Sequence, residues 1–265
     1  PCPSTVSAGA GRVCLRCMFD SVVPGATRFA VLARFWPANP AGRCLVGGAG
    51  KAADSMAAAL EAAWPEVPLE GVVVTRDGHA MPTRSIRVLE ASHPVPDERS
   101  EQAARDILNT VKGLGADDQV IALISGGGSA LLALPAEGIT LDEKKQIART
   151  LLHSGATITE MNTVRRHLSA IKGGRLAQAA YPARVATLVI SDVPGDDPAV
   201  IASGPTVQDE TTAEDALRVI RKYDITLPPA AQALLEREAG ADRQAPPPVA
   251  EGNSLTMTAT PFFAL

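Results

Sequence analysis

The chain has 265 residues, 46% of them apolar, and its 25 Lys and Arg against 29 Asp and Glu leave a formal net charge of -4. That is enough apolar material for one large domain or two small ones, and it excludes disorder along the whole length. The slight acidity offers no basic footprint for nucleic acid or an anionic membrane, and no apolar stretch approaches the roughly 18 to 20 residues of a membrane span. Small-molecule partners and a cytoplasmic location are therefore expected.

Residues 1–12 have neither the basic nor the apolar region of a secretory signal and form an unassigned leader. Cys2, Cys14, Cys17 and Cys44 all fall early. Cys14 and Cys17 have CxxC spacing, but no second pair follows, so incidental thiols are expected rather than a zinc site. Strands are predicted over 43–47, 71–75, 86–90, 119–125 and 184–191, several of them apolar on both faces as a covered parallel sheet requires. Between them, 51–63 and 98–111 carry apolar residues at helical spacing. Thr140 to Glu143 and Thr211 to Glu214 have the Thr-x-x-Glu form of a capping box. A further helix is expected through Val164, Leu168 and Ile171, ending at Gly173 and Gly174. Strand and helix alternating in this way predict an α/β fold, a mostly parallel sheet with helices on both faces in a Rossmann-like three-layer arrangement. Its ligands are expected beyond the carboxyl ends of the strands. Residues 13–240 make up this domain, and 241–265, with three consecutive prolines and a terminal PFFAL, read as a linker-like tail.

Three stretches carry candidate chemistry. In "ALISGGGSALL", Ser125, Gly126, Gly127, Gly128 and Ser129 place bare backbone between a strand and a short helix, which suits a phosphate or carboxylate, or else only a tight turn. In "GGAGKAA", Gly48 and Gly50 with Ala53 match the dinucleotide pattern GxGxxA, but no acidic residue stands at the spacing a ribose needs. Lys51 at a helix N-terminus opposes the helix dipole, a conflict that an anionic ligand resolves, or else it extends into solvent and serves nothing. In "ISDVPGDDPAVIASGPT", Asp192 leaves a strand at its carboxyl end, where a carboxylate can meet Mg²⁺, whereas Asp196 and Asp197 read as turn chemistry. Arg165 and Lys172 are expected on one helix face, either clamping an anion or solvated. His93, in a proline-rich loop after a strand, either touches substrate or packs.

Taken in order, "GAGKAADSMAAALE", "EASHPVPDERS", "ALISGGGSALL", "SGATITEMNTVRRHLSAIKGGRLAQ" and "ISDVPGDDPAVIASGPTV" resemble the amino-terminal domain of the class II glycerate 2-kinases, a family often labelled hydroxypyruvate reductase. The resemblance runs from about Leu15 to Val207. It implies ATP-dependent, Mg²⁺-assisted phosphorylation of D-glycerate to 2-phosphoglycerate, in a cleft between this domain and a carboxyl-terminal one. It also implies that Lys51 is the essential lysine of GAGKAA, neutralising the transferred phosphoryl group or orienting the glycerate carboxylate. The family's second domain is expected to be missing here, so the chain reads as a glycerate 2-kinase, as its substrate-binding half, or as a homodimer that closes the cleft. An NAD(P)H-dependent hydroxypyruvate reductase and a non-catalytic small-anion binding module are the rival readings.

Overall fold

The extended segments are β1 (Cys44–Ala49), β2 (Leu69–Arg76), β3 (Ile86–Ala91), β4 (Gln119–Ser125), β5 (Arg184–Ile190) and β6 (Ser254–Ala259). They pair in the order β3-β2-β1-β4-β5-β6, each neighbour parallel to the next. The computed structural model describes residues 37, 41–241 and 254–259. Within these, the α-helices are α1 (Ala53–Ala63), α2 (Glu98–Thr110), α3 (Gly128–Leu131), α4 (Leu141–His153), α5 (Ile158–His167), α6 (Arg175–Ala180), α7 (Ala213–Lys222) and α8 (Pro229–Ala241).

Both faces of the sheet are covered, which is why β1 and β4 are buried at every position and read as unbroken apolar runs. The two-residue period of the strands sorts their side chains. Val72, Val74, Val120, Ala122 and Ile124 pack with Ala103, Ala104 and Ile107 of α2 and Leu176 of α6 on one face. Val73, Ile121 and Leu123 pack with Met56, Ala57 and Leu60 of α1 on the other. The α/β three-layer arrangement expected from the sequence is therefore present. A third core, with Ile147, Leu151, Val164, Leu217, Ile220 and Leu234, joins α4, α5, α7 and α8 in a helical lobe. The chain leaves β1 toward β2, then returns through α2 on the opposite face to place β4 on the free side of β1. That reversal opens a crevice at the carboxyl ends of β1 and β4.

Three sequence expectations are corrected. The helix expected through Ile171 stops at His167, because the backbone beyond it pairs elsewhere. Pro135 and Ser169 form an antiparallel bridge, Ala136 N–H donates to the Leu168 carbonyl at 3.2 Å, and Ala170 N–H donates to the Leu134 carbonyl at 3.2 Å. Gly173 and Gly174, at φ 60° and 82°, lead instead into α6. The capping box at 211–214 moves by one residue: Thr212 caps α7 with Asp215, since the Thr211 hydroxyl donates to Asp209 at 2.7 Å. The tail is not linker throughout, because Ser254–Ala259 adds β6 beside β5. Leu255, Met257 and Ala259 alternate with Thr256 and Thr258 at the period of a strand. Cys2, Cys14, Cys17 and residues 261–265 lie outside the described residues; Cys44 is buried in β1, which pushes its thiol up to about 12.

Between β2 and β3 the chain returns without a helix, through residues 77–85. Irregular backbone must find partners for its N–H groups, and here carboxylates supply them. Glu90 accepts from His79 and Ala80 at 2.9 and 3.0 Å, and Asp54 of α1 accepts from Met81 at 3.2 Å. Glu61 of α1 accepts from Arg84, Ser85 and Ile86. Asp54 and Glu61 are thus buried on an otherwise apolar helix face, at 3% and 6% exposure. Burial by itself raises the Glu61 pKa, but the N–H donors and the Ser85 hydroxyl together hold it below its usual value. The stabilisation is therefore complete above the carboxyl's ordinary pKa and is lost as pH falls through the depressed one. Glu61→Ala should lower stability by about 1–3 kcal/mol near neutral pH, measured by urea unfolding. Its deficit relative to the unmodified chain should shrink on acidification.

Candidate active site at the carboxyl ends of β1 and β4

The crevice is built by two glycine turns bolted to each other. Lys51 N–H donates to the Gly126 carbonyl at 2.8 Å, Gly50 N–H to the Val74 carbonyl at 3.1 Å, and Ala52 N–H to Ser125 Oγ at 3.0 Å. The amides of Gly50, Lys51 and Ala52 that lead into α1 are therefore spent on protein acceptors. A Cβ on Gly48 would overlap the Leu123 carbonyl, and one on Gly50, at φ +139°, would stand 2.5 Å from the Ser125 carbonyl oxygen. Close approach of β1 to β4 accounts for both glycines of the GxGxxA pattern.

The second turn is open where the first is closed. Gly127 is left-handed at φ +84° and leads into α3. The N–H groups of Gly127, Gly128 and Ser129 have no acceptor among the described residues. Three side chains from three other segments close on this turn. A Cβ on Gly127 would lie 3.0 Å from His93 Nε2 and 3.3 Å from Lys51 Cε, and one on Gly126 would overlap the Asp192 carboxylate. The glycines leave the room that Lys51, His93 and Asp192 occupy. Lys51 and Asp192 are exposed, and His93 is partly buried. Burial, followed by the charges of Lys51 and Arg76, pushes the His93 pKa below its ordinary value, with Asp192 acting in the opposite direction. The imidazole is thus neutral near pH 7 and free both to donate and to accept.

Several residues stand differently from the sequence reading. Ser125 is an internal acceptor for Ala52 and is buried, while Ser129 is exposed with its Oγ 3.1 Å from Ser203 Oγ. Lys172 does not share a helix face with Arg165, because α5 has ended before it, and it cannot reach a ligand in the crevice. It is 2% exposed, and its Nζ donates to the carbonyls of Ser129 at 2.9 Å and Ala202 at 3.3 Å. Burial, and then the Arg165 charge, push Lys172 down to about 7. Arg165 is half-buried, and desolvation lowers its pKa. Asp197 accepts from Ala199 N–H at 2.9 Å, the turn chemistry expected of it. Sequence reasoning missed Arg76, legible only as the last residue of a strand, and the turn holding Ala202 and Ser203, left-handed at φ 52° and 62°. Non-glycine residues in that region carry no sequence marker.

An open recess of about 360 Å³ lies apart from this crevice, lined by Glu160, Thr163, Thr211, Asp215, Arg218, Val219 and Lys222. Its charges are already paired, Lys222 to Glu160 at 2.6 Å and Arg218 to Asp215 at 3.0 Å. No helix among the described residues is long and apolar enough to cross a membrane.

Comparison with known proteins places this geometry among relatives. Residues 14–236 match the family model described as "Domain of unknown function (DUF4147)". The chain is 57% identical over 234 residues to an Agrobacterium vitis protein provisionally named hydroxypyruvate reductase, covering 88% of this chain and 53% of that one. It is 48% identical over 184 residues to the D-glycerate 2-kinase of Thermotoga maritima, covering 69% and 44%. The crystal structure of glycerate kinase from Thermotoga maritima superposes with a TM-score of 0.77 at 40% identity, covering 86% of this chain and 53% of that one. The chain spans about half the length of the curated relatives it matches.

Two measurements check this site. Gly48→Ala, which meets backbone, should cost more than about 2 kcal/mol in urea unfolding, whereas Gly126→Ala should cost less than about 1 kcal/mol, because the exposed Asp192 carboxylate can swing away. Between about pH 7 and pH 10 the unfolded chain holds a proton on residue 172 that the folded chain has released, so stability should climb with pH across that window. Lys172→Met should flatten the climb.

Proposed function

The chain belongs to the DUF4147 family, and on that premise we propose that its crevice takes part in the ATP-dependent phosphorylation of D-glycerate to 2-phosphoglycerate, as a glycerate 2-kinase or as the substrate-binding half of one. The observation that carries this reading is the convergence of Lys51 and His93 on Gly127, with Asp192 on Gly126, where the turn's amides lack protein acceptors. The names of the Thermotoga relatives support it.

In this proposal the amides of Gly127 to Ser129 and the Ser129 hydroxyl hold an anionic group of the substrate. Lys51 neutralises charge that grows on the transferred phosphoryl group or orients the glycerate carboxylate, a preorganised positive charge where negative charge develops. His93, kept neutral, hydrogen-bonds a substrate hydroxyl or carboxylate. Among the described residues no group of three or more His, Cys, Asp or Glu side chains is placed to hold a metal ion. Asp192 as a single carboxylate fits a Mg²⁺ ion that arrives with nucleotide phosphates, since Mg²⁺ is commonly held by one or two carboxylates plus those phosphates. The far side of the cleft would be closed by a second domain or a second copy. The reductase reading loses its main support, because the amides that would meet a dinucleotide pyrophosphate are bonded to Gly126 and Ser125.

Phosphorus NMR of the chain with Mg·ATP and D-glycerate tests the proposal. A 2-phosphoglycerate signal is expected, reduced by about 10²-fold or more in Lys51→Ala. ATP left intact by the unmodified chain overturns turnover by this chain, and a thermal shift with D-glycerate then decides whether it binds the substrate. NADH oxidation driven by hydroxypyruvate would overturn the kinase reading itself.

A further inference from the structure

Beneath the glycine turn lies a cationic cluster out of reach of any substrate. The two carbonyls that Lys172 Nζ binds belong to two different turns, Ser129 at the start of α3 and Ala202 in the left-handed turn at 201–204. On the other side of that contact the hydroxyls of Ser129 and Ser203 hydrogen-bond to each other at 3.1 Å. Lys144 repeats the device at the far end of the same segment, its Nζ donating to the carbonyls of Leu134 at 3.0 Å and Leu168 at 3.1 Å. The stretch from Ser129 to Leu134 is thus held at each end by an ammonium group on carbonyl oxygens. Burying an ammonium group is costly, and a well-packed apolar side chain would often serve stability as well or better. The charged groups facing Lys172 are Arg165 of α5 and Lys144 of α4, and Arg175 of α6 donates to the Lys172 carbonyl at 3.1 Å. No carboxylate forms an ion pair with Lys172 among the described residues.

We propose that Lys172 is a positioning residue that locks the 126–129 turn to the 201–204 turn, so that the open amides and the Ser129–Ser203 hydroxyl pair are set before an anion arrives. Its uncompensated charge is balanced when that anion occupies the turn above it. The identity of the anion as substrate rests on the kinase reading of the preceding subsection; the lock itself does not. Because Lys172 itself has no paired carboxylate among the described residues, whereas Arg175 meets Glu238 at 3.9 Å, anion binding favours the protonated amine, and binding draws a proton from solution.

Two measurements on the full chain test this. In amide hydrogen exchange, Lys172→Met should speed exchange about tenfold or more in both 126–131 and 201–205, leave the strands unchanged, and differ from Lys51→Ala, which should change neither turn. Unaltered protection in both turns overturns the lock. Lys172→Gln, which keeps an N–H donor without the charge, supplies the same comparison if the Met variant does not fold. Calorimetry of inorganic phosphate binding near pH 8, run in two buffers of different ionisation heat, should show proton uptake by the unmodified chain and none by the variant; equal uptake in both overturns the charge coupling. If exchange rises as expected while the unmodified chain neither forms 2-phosphoglycerate nor shows a thermal shift with D-glycerate, the kinase reading fails and the lock stands.

Discussion

The close approach of β1 to β4 is the constraint on which the rest of the site depends. Gly48 brings the β1 backbone against the Leu123 carbonyl, and Gly50 does the same at Ser125. With any larger residue the strands would part, and the two turns that leave them would no longer bond. That bonding, Lys51 to Gly126 and Ala52 to Ser125, sets where the Lys51 side chain leaves the backbone, and from there it reaches Gly127. A packing requirement in the sheet is thereby converted into the position of a charge at its edge.

The same economy governs the irregular segments around the crevice. Backbone that belongs to no helix or strand cannot be buried without partners, and this chain answers with buried ions of both signs. Where N–H groups are in surplus, in the 77–85 connection, Asp54, Glu61 and Glu90 accept. Where carbonyls are in surplus, around α3 and the 201–204 turn, Lys144 and Lys172 donate. The first set holds the 77–85 connection, and in the second Lys172 lies beneath the glycine turn. Both give loops the rigidity that the adjoining strands have by hydrogen bonding alone.

Electrostatically, the crevice is asymmetric. Lys51 and Arg76 lie at its rim and lower the proton affinity of His93, while Asp192 stands as the opposing carboxylate. Arg165 adds positive charge beside the buried Lys172 amine. Such an arrangement attracts an anion yet keeps the imidazole neutral, so one site can hold a carboxylate or phosphate beside a group able to accept a proton.

Much of the architecture was legible in the amino-acid sequence. Strand and helix reveal themselves through periods of 2 and 3.6, which depend on a residue's near neighbours alone, and the 119–125 strand needed no adjustment. The order of motifs was enough to recognise the family, and Lys51 stood out as a candidate because a cation at a helix N-terminus contradicts the helix dipole. The end of α5 was not, since Val164, Leu168 and Ile171 continue the helical period while the Pro135–Ser169 bridge claims the backbone. Nor was the fate of Lys172, which by spacing belongs on a solvated face and in space is buried against Ser129 and Ala202. The sequence by itself determined the elements, because propensity and periodicity are local. Only the tertiary structure decided which glycines serve packing and which serve the site, and which cation meets solvent, because those depend on backbone atoms brought together from distant positions in the chain.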